Sequence, residues 1–580
     1  MKSTFVRSSL MLLGPVLLAG ASLPAMAQTA SQVARPSYAP AIIQQAGGGL
    51  ALPASSGLQA PDGADQLFVT PSGLNVSGGL PAMAEETAVI EGSIKGKRVS
   101  GAALFAAASQ LEAAYARAGY LLVRVSLPPQ TIQDGHPLQL VVTRGYVESV
   151  DISAIPERVR ARVEKMLAPL VGRSDITRRD IERQLLLAGD IPGLHLRSTL
   201  KAGTQPGSTI ITVDGRHDAV SATVSIDNGL SDRMGTWSAG LGVNFNSLLG
   251  LGEVVYAQLA GYPGLDDDSI FESDPRNRQM VAGVTVPLGL GSNWLGLEYV
   301  DSRTHPTAVT AYTLPDHFQR LSAKFGHHWV RSRSANLSTV ISLDASDEVQ
   351  QLDLLGSRSD FTEDKTRVVR LSQQGDVYLG NGDHLSGSAT LSVGLDALGA
   401  REGTVALPLS RDGADPDFAK LSVEARFLHA FGQDFGHVSL AAKAQTSFGE
   451  PLVASEQLGI GGQSWLSAYN SGAITGDSAI AARIEWAFPQ NMSRRFGWQN
   501  SLGMAIEPYL FAAGGIVSLE QANVGEYSQT NAMSVGLGAR IGLSQVGTSR
   551  STALTVEAAH GDADHIGDEN RFNFALQANF

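Results

Sequence analysis

Cysteine is absent from the 580 residues, which excludes disulfides and thiolate metal sites and suits an oxidising compartment. Basic charge is scarce as well. Lys and Arg number 43 against 56 Asp and Glu, and a net charge of −13 leaves no electrostatic footprint for nucleic acid. Past the N-terminal region no uninterrupted apolar run reaches the roughly 20 residues a spanning helix needs, so any membrane passage must use strands. Catalytic signatures are missing too: there is no GxSxG elbow, no HExxH helix and no complete phosphate loop. The histidines show no metal-ligand spacing, and the pair His327 and His328 fits a loop or barrel wall better than a metal. The run Asp562, Asp564, Gly567 and Asp568 lacks the third ligand and terminal glutamate of a calcium loop and fits a solvated acidic loop. The expectation is a protein that is not an enzyme and uses no cofactor and no metal.

What is present begins with an export signal. Lys2 and Arg7 precede the apolar run 10–21, and Ala25, Met26 and Ala27 form an A-x-A cleavage pattern before Gln28, so residues 1–27 read as a signal peptide. Residues 28–65 are rich in Ala, Gly, Pro and Ser and read as a linker with room for one short helix, the candidate being 32–45 despite Pro36 and Pro40.

From 66 to 215 helical and strand periods alternate twice. The spacing of Leu104, Phe105, Ala108, Leu111 and Tyr115 predicts a helix over 102–118, stopped at Gly119. Strands over 121–127 and 138–143 follow. The second round has helices over 157–167 and from Thr177, whose Asp180 completes a capping box, then strands over 194–200 and 208–213. Two α+β domains, 66–147 and 148–215, are the natural division.

Beyond 216 period-two alternation takes over. Trp237, Ala239, Leu241, Val243 and Phe245 alternate with small and polar residues, as do Met533, Val535, Leu537, Ala539, Ile541 and Leu543. One face suits an apolar medium and the other suits water. A soluble sandwich shares that pattern. The export signal, the alternation of short turns such as 247–252 with acidic loops such as 264–274, and a final strand ending at Phe580 favour an all-β antiparallel transmembrane barrel over 216–580. Sixteen strands allow about ten residues per tilted span plus a turn.

Some stretches resemble a known family. GYLLVRVSLPPQTIQDGHPLQLVVTRGYV (119–147) resembles the first POTRA domain of two-partner secretion transporters of the TpsB type, the haemolysin and filamentous-haemagglutinin secretion and activation proteins. ERQLLLAGDIPGLHLRSTLKAGTQPGST (182–209) is similar to their second POTRA domain, and NSLLGLGE (246–253) extends the likeness into the barrel. The resemblance implies an outer-membrane protein of a Gram-negative bacterium with periplasmic POTRA domains. These would capture a secreted exoprotein by its N-terminal secretion domain, and the barrel would export it. It further implies contact with outer-membrane lipid and with the barrel assembly machinery, Phe580 being the assembly signal. Two other functions stay open at this point: an outer-membrane assembly factor of the same superfamily, and a passive channel that retained its POTRA domains.

The family's barrel motifs are altered. Its V-R-G-F/Y tetrapeptide, at the tip of a loop folded into the barrel, falls on Leu466, Ser467, Ala468 and Tyr469, so the arginine is a serine. Its F-x-D-x-G wall motif falls on Phe511, Ala512, Ala513, Gly514 and Gly515, so the aspartate is an alanine. Losing both partners leaves no orphaned buried charge, whereas losing one would cost several kcal/mol.

Overall fold

The computed structural model describes residues 28–40, 59–205, 207–264, 268–308, 312–432, 435–498, 501–523, 525–546 and 548–580. The signal-peptide reading falls on residues 1–27 and lies outside them, as does the stretch 41–58 of the linker. No helix among the described residues is long and apolar enough to cross a membrane.

The only helix described between 28 and 40 is α1, Ala30–Val33; of the helix expected over 32–45, residues 34–40 are not helical and residues 41–45 lie outside the described residues. Thr29 and Gln32 form a capping box that starts it. The chain is already extended at Ala34, and Arg35, as the residue before Pro36, is pushed away from helical geometry.

The first α+β unit contains α2 (Ala84–Ile94) and α3 (Gly101–Arg117) against a three-stranded sheet with Leu138–Thr143 in the centre, flanked by Leu74–Ser77 and Arg124–Ser126. Helix α3 is capped by the Ser100 hydroxyl, which accepts from the Ala103 amide at 3.3 Å, and it buries Leu104, Ala108, Leu111 and Tyr115. The strand expected over 121–127 covers only Arg124–Ser126, because residues 121–123 turn back against the end of α3.

The second unit repeats the order with α4 (Glu157–Leu167), α5 (Arg178–Gly189) and a sheet in which Ser208–His217 lies between Tyr146–Ala154 and Leu194–Ala202. The Thr177/Asp180 capping box is formed at the start of α5. Glu148 binds the turn that joins the last two strands. It accepts from the Thr204 amide at 2.7 Å, the Thr204 hydroxyl at 2.6 Å and the Ser208 hydroxyl at 2.5 Å, and these bonds hold its carboxyl down at about 2.

From Val220 the chain forms a closed antiparallel barrel of sixteen strands. The first strand, Val220–Asp227, and the last, Glu569–Asn579, close the ring over five register pairs from Thr223↔Asn579 to Asp227↔Ala575. The seam is extended by Phe580, whose amide donates to the Ala222 carbonyl at 2.9 Å and whose carbonyl accepts from the Ala222 amide at 3.2 Å. The alternation has its physical outcome here. Leu241, Met533, Val535, Leu537 and Phe572 face outward, whereas Asp344, Glu348, Arg483, Ser534 and Asn573 face a filled lumen and are buried. His327 and His328 both lie on the strand Asp316–Arg331.

The second α+β unit is docked on one end of the barrel. Asp190, at the C-terminal cap of α5, accepts a two-pronged ion pair from Arg331 at 2.7 and 2.8 Å. Arg158 and Arg162 of α4 donate to the Leu248 and Gly289 carbonyls of barrel turns, and Arg183 of α5 donates to Ser292.

Candidate functional site

The site is the barrel lumen, which two segments fill. The first is the long loop between the strands His437–Thr446 and Ser478–Ala487, which folds inward. Its entry is fixed by Glu456, whose carboxylate pairs with Arg370 at 2.6 Å and Lys420 at 2.8 Å, both on the wall. Deeper in, Lys443 donates to the Gly459 carbonyl at 2.6 Å and stands over the Trp465 ring.

The tip, Leu466, Ser467, Ala468 and Tyr469, is fully buried against the wall. Asn573 donates to the Ser467 carbonyl at 2.8 Å, the Ala468 amide donates to Ser534 at 3.2 Å, and the Tyr469 hydroxyl donates to the Gly567 carbonyl at 3.2 Å. The wall leaves room where the loop presses closest. A Cβ at Gly561 would stand 2.6 Å from Ala468 Cβ, and one at Gly515 would stand 2.9 Å from Ile460 Cδ1.

Phe511, Ala513 and Gly515 lie on the wall strand Leu502–Ser518, and the buried cluster around the tip includes Leu466, Ala468, Tyr469, Phe511 and Ala513. Ser467 and Ala513 are linked through a residue that the sequence reading did not single out. Arg483 is the direct cross-strand partner of Ala513. It donates to the Ser467 hydroxyl at 3.2 Å and to the Trp465 carbonyl at 3.0 Å, and its guanidinium lies 3.8 Å from the Phe511 ring centroid. Glu557 at 2.6 Å and Glu485 at 2.7 Å neutralise it. Arg483 and Glu557 are each only 4% exposed. In this chain the arginine therefore stands on the wall and grips an uncharged loop tip. The available signal was a lone arginine on the small-residue face Ala479, Ala481, Arg483 of a strand whose other face is Ile480, Ile484 and Trp486. Phe580 lies apart from these groups, at the seam.

The second segment is 28–40, which runs along the opposite wall. At one end Gln28 accepts from the Ser231 amide at 3.0 Å and donates to the Ser471 carbonyl of the inward loop. Further along, Tyr38 inserts among Tyr256, Val281 and Val300. Its amide donates to Glu298 at 2.9 Å and its hydroxyl to Gln279 at 2.8 Å. Pro40 ends the described stretch in a cavity of about 270 Å³ at the docked end of the barrel, lined also by Pro192, Gly193, Trp294 and His328. Among the described residues no group of three acidic or histidine side chains converges to hold a metal ion.

Comparison with known proteins agrees with this architecture. Residues 207–541 match the family model of the haemolysin secretion/activation proteins ShlB/FhaC/HecB, and residues 73–145 match the ShlB-type POTRA domain. The chain is 24% identical over 269 residues to the heme/hemopexin transporter protein HuxB of Haemophilus influenzae (strain 86-028NP). That match spans 44% of each protein, less than half the length of the curated relative. Among solved structures, CdiB from Escherichia coli superposes with a TM-score of 0.66 at 19% identity, covering 91% of this chain and 94% of that one. CdiB from Acinetobacter baumannii gives 0.56 at 16% identity, with coverage of 89% and 90%. BamA from Haemophilus ducreyi lacking POTRA domains 1–3 gives 0.50 at 12% identity, with coverage of 88% and 100%. These likenesses concern the fold.

Proposed function

The chain belongs to the haemolysin secretion/activation protein family ShlB/FhaC/HecB, a family of outer-membrane transporters, and from that premise we propose that it exports one secreted exoprotein through its barrel. The POTRA region stands in the periplasm and captures the N-terminal secretion domain of the client. Pairing of an extended client with an exposed sheet edge is a physically adequate contact. Folding of the client outside the cell supplies direction without a nucleotide.

The observation that carries this reading is that the lumen already holds a length of polypeptide, residues 28–40, from the Pro40 cavity to Ser231 and Ser471. A passive channel would be expected to keep an open aqueous lumen instead. The test is secretion. An exported protein encoded in the neighbouring reading frame is the predicted client, and it should reach the medium only when this chain is present. Removing residues 66–145, which leaves the Asp190–Arg331 junction in place, should leave a heat-modifiable barrel in the outer membrane and abolish export. Export that survived the deletion would favour a passive channel.

A further inference from the structure

We infer that the rim of the barrel at its docked end carries a binding site for anionic phospholipid, built on a short helix, α6 (Met492–Phe496), with Trp498 and Arg550. The inference uses the outer-membrane placement of the chain and not the export reading.

The charge of this rim runs against that of the chain. The whole sequence is acidic, at −13, yet residues 488–501 and 546–550 contain no Asp or Glu and carry Arg494, Arg495 and Arg550. All three arginines are exposed. The acids that flank the first stretch, Glu485 and Glu507, turn into the lumen and pair with Arg540 at 2.5 and 2.9 Å, which leaves the three rim guanidiniums without a carboxylate partner among the described residues. The two stretches are neighbours, since the Val546 amide donates to the Ser501 carbonyl at 3.2 Å. The Ser549 hydroxyl, which donates to Asp218 at 2.8 Å, fixes them at the docked end.

The same surface is apolar where water would otherwise meet it. Phe496, Trp498 and Val546 are each about half exposed, and the two rings stand 5.1 Å apart. Phe435 and Trp486 extend the surface, joined by a 3.0 Å bond from Trp486 Nε1 to the Phe435 carbonyl. Trp486 lies directly across from Leu510, and Leu510 across from Leu537, all three outward, so the surface continues the lipid-facing wall. The connection from Ala487 to Leu502 is also the longest on this rim, more chain than a turn between strands needs. It is anchored: the buried Ser493 donates to the Met504 carbonyl at 3.3 Å, and Gly497, at φ 73°, ends the helix.

Aromatic rings settle at the headgroup level of a bilayer, and guanidinium forks bind phosphate through paired hydrogen bonds. A zwitterionic head would bring its own ammonium against three arginines with no acid among them, so an anionic head is the one selected.

Titration of the full chain in detergent with fluorescent phosphatidylglycerol and with fluorescent phosphatidylcholine tests this. The parent should bind the first about tenfold more tightly, and high salt should reduce the preference severalfold. Arg494→Gln with Arg495→Gln and Arg550→Gln should erase the preference while the barrel stays heat-modifiable. Removing the same charge from the first α+β unit, with Lys97→Gln, Arg98→Gln and Arg117→Gln, should leave it unchanged. Phe496→Ser with Trp498→Ser should weaken both lipids alike. Equal affinities in the parent, a preference that persists in salt or without the three arginines, or an equal loss in the control variant would overturn the inference. The first of these is also what a protein-docking surface would give. No reading depends on whether a client is secreted, so a failed secretion assay would count against the export reading alone.

Discussion

Replacing Arg483 with leucine should be among the most damaging single changes in the barrel. It removes the cation that faces Glu557 and the donor to Ser467 and Trp465 in one step. Among the described residues Glu557 then keeps the Tyr509 hydroxyl at 2.8 Å as its hydrogen-bond partner, and breaking a buried pair in this way costs about 3–5 kcal/mol. Adding Glu557→Leu removes the stranded carboxylate and should recover most of that loss.

The relocated arginine also couples position 467 to position 483. In the unaltered protein Ser467→Arg would set two guanidiniums about 4 Å apart, a repulsion of about 4 kcal/mol at an effective dielectric near 20. Glu557 Oε1, buried and without a hydrogen-bond partner, offsets part of it. In the Arg483→Leu background the same change returns a cation to Glu557 and should rescue, since one guanidinium now bridges Ser467 and Glu557. The coupling should therefore lie at the upper end of the range for contacting residues, about 1–3 kcal/mol. Urea midpoints of the heat-modifiable form in detergent, for the two single variants and the double, would measure it. Additivity within about 0.5 kcal/mol would show that these side chains do not meet and would refute the placement of the loop tip.

Asp190→Ala should loosen the second α+β unit from the barrel at a cost of about 3 kcal/mol, the low end for a broken buried pair because Arg331 keeps its bond to Asn336; faster proteolysis of the interdomain turns would report it, and unchanged cleavage would count against the junction. Deleting Phe580 removes both of its backbone bonds to Ala222 and should lower the yield of heat-modifiable barrel; normal assembly would contradict this. Glu148 is held at about 2, below its ordinary 4.5, so its contribution is complete above pH 4.5 and is lost as pH falls through 2. Glu148→Gln should accordingly speed hydrogen exchange at the Thr204 amide at neutral pH, and the difference from the parent should close over that window.

What the sequence made legible was local. Thr177 and Asp180 announce a capped helix because both partners of the box sit within one turn. Alternation over 533–543 announces a membrane strand because its faces meet different media. The contents of the lumen are not local. Ser31 meets Glu348 across 317 positions, and no period relates them. Helix α1 is only four residues long, too short for propensity to signal, and wall side chains such as Ser302 add to the hold of its own Thr29/Gln32 capping box. The loop reading had a similar limit. Ser467 and Ala513 stand out as absences, but the strand pattern around Arg483 says only that the arginine faces inward, not which loop it meets.

The arrangement of charge separates the parts that stay from the parts that move. If the loop tip or the 28–40 segment leaves the lumen, two of the wall charges that held them keep wall partners: Arg483 keeps Glu557 and Glu485, and Glu298 keeps Lys324 and Arg320. Neither departure strands these two ions, stranding being the expensive event in a dry interior, whereas Glu348 does lose the Ser31 amide when 28–40 leaves. With an arginine on the loop and an aspartate on the wall, withdrawal would strand both. Glu456 is the exception, since its partners Arg370 and Lys420 lie across the boundary between loop and wall. The loop should therefore open as a hinged flap, anchored at Glu456 and released at Leu466 to Tyr469, and a neutral Glu456→Gln should cost more stability than Ser467→Ala. The reverse order in urea titrations would show that the anchor lies at the tip instead.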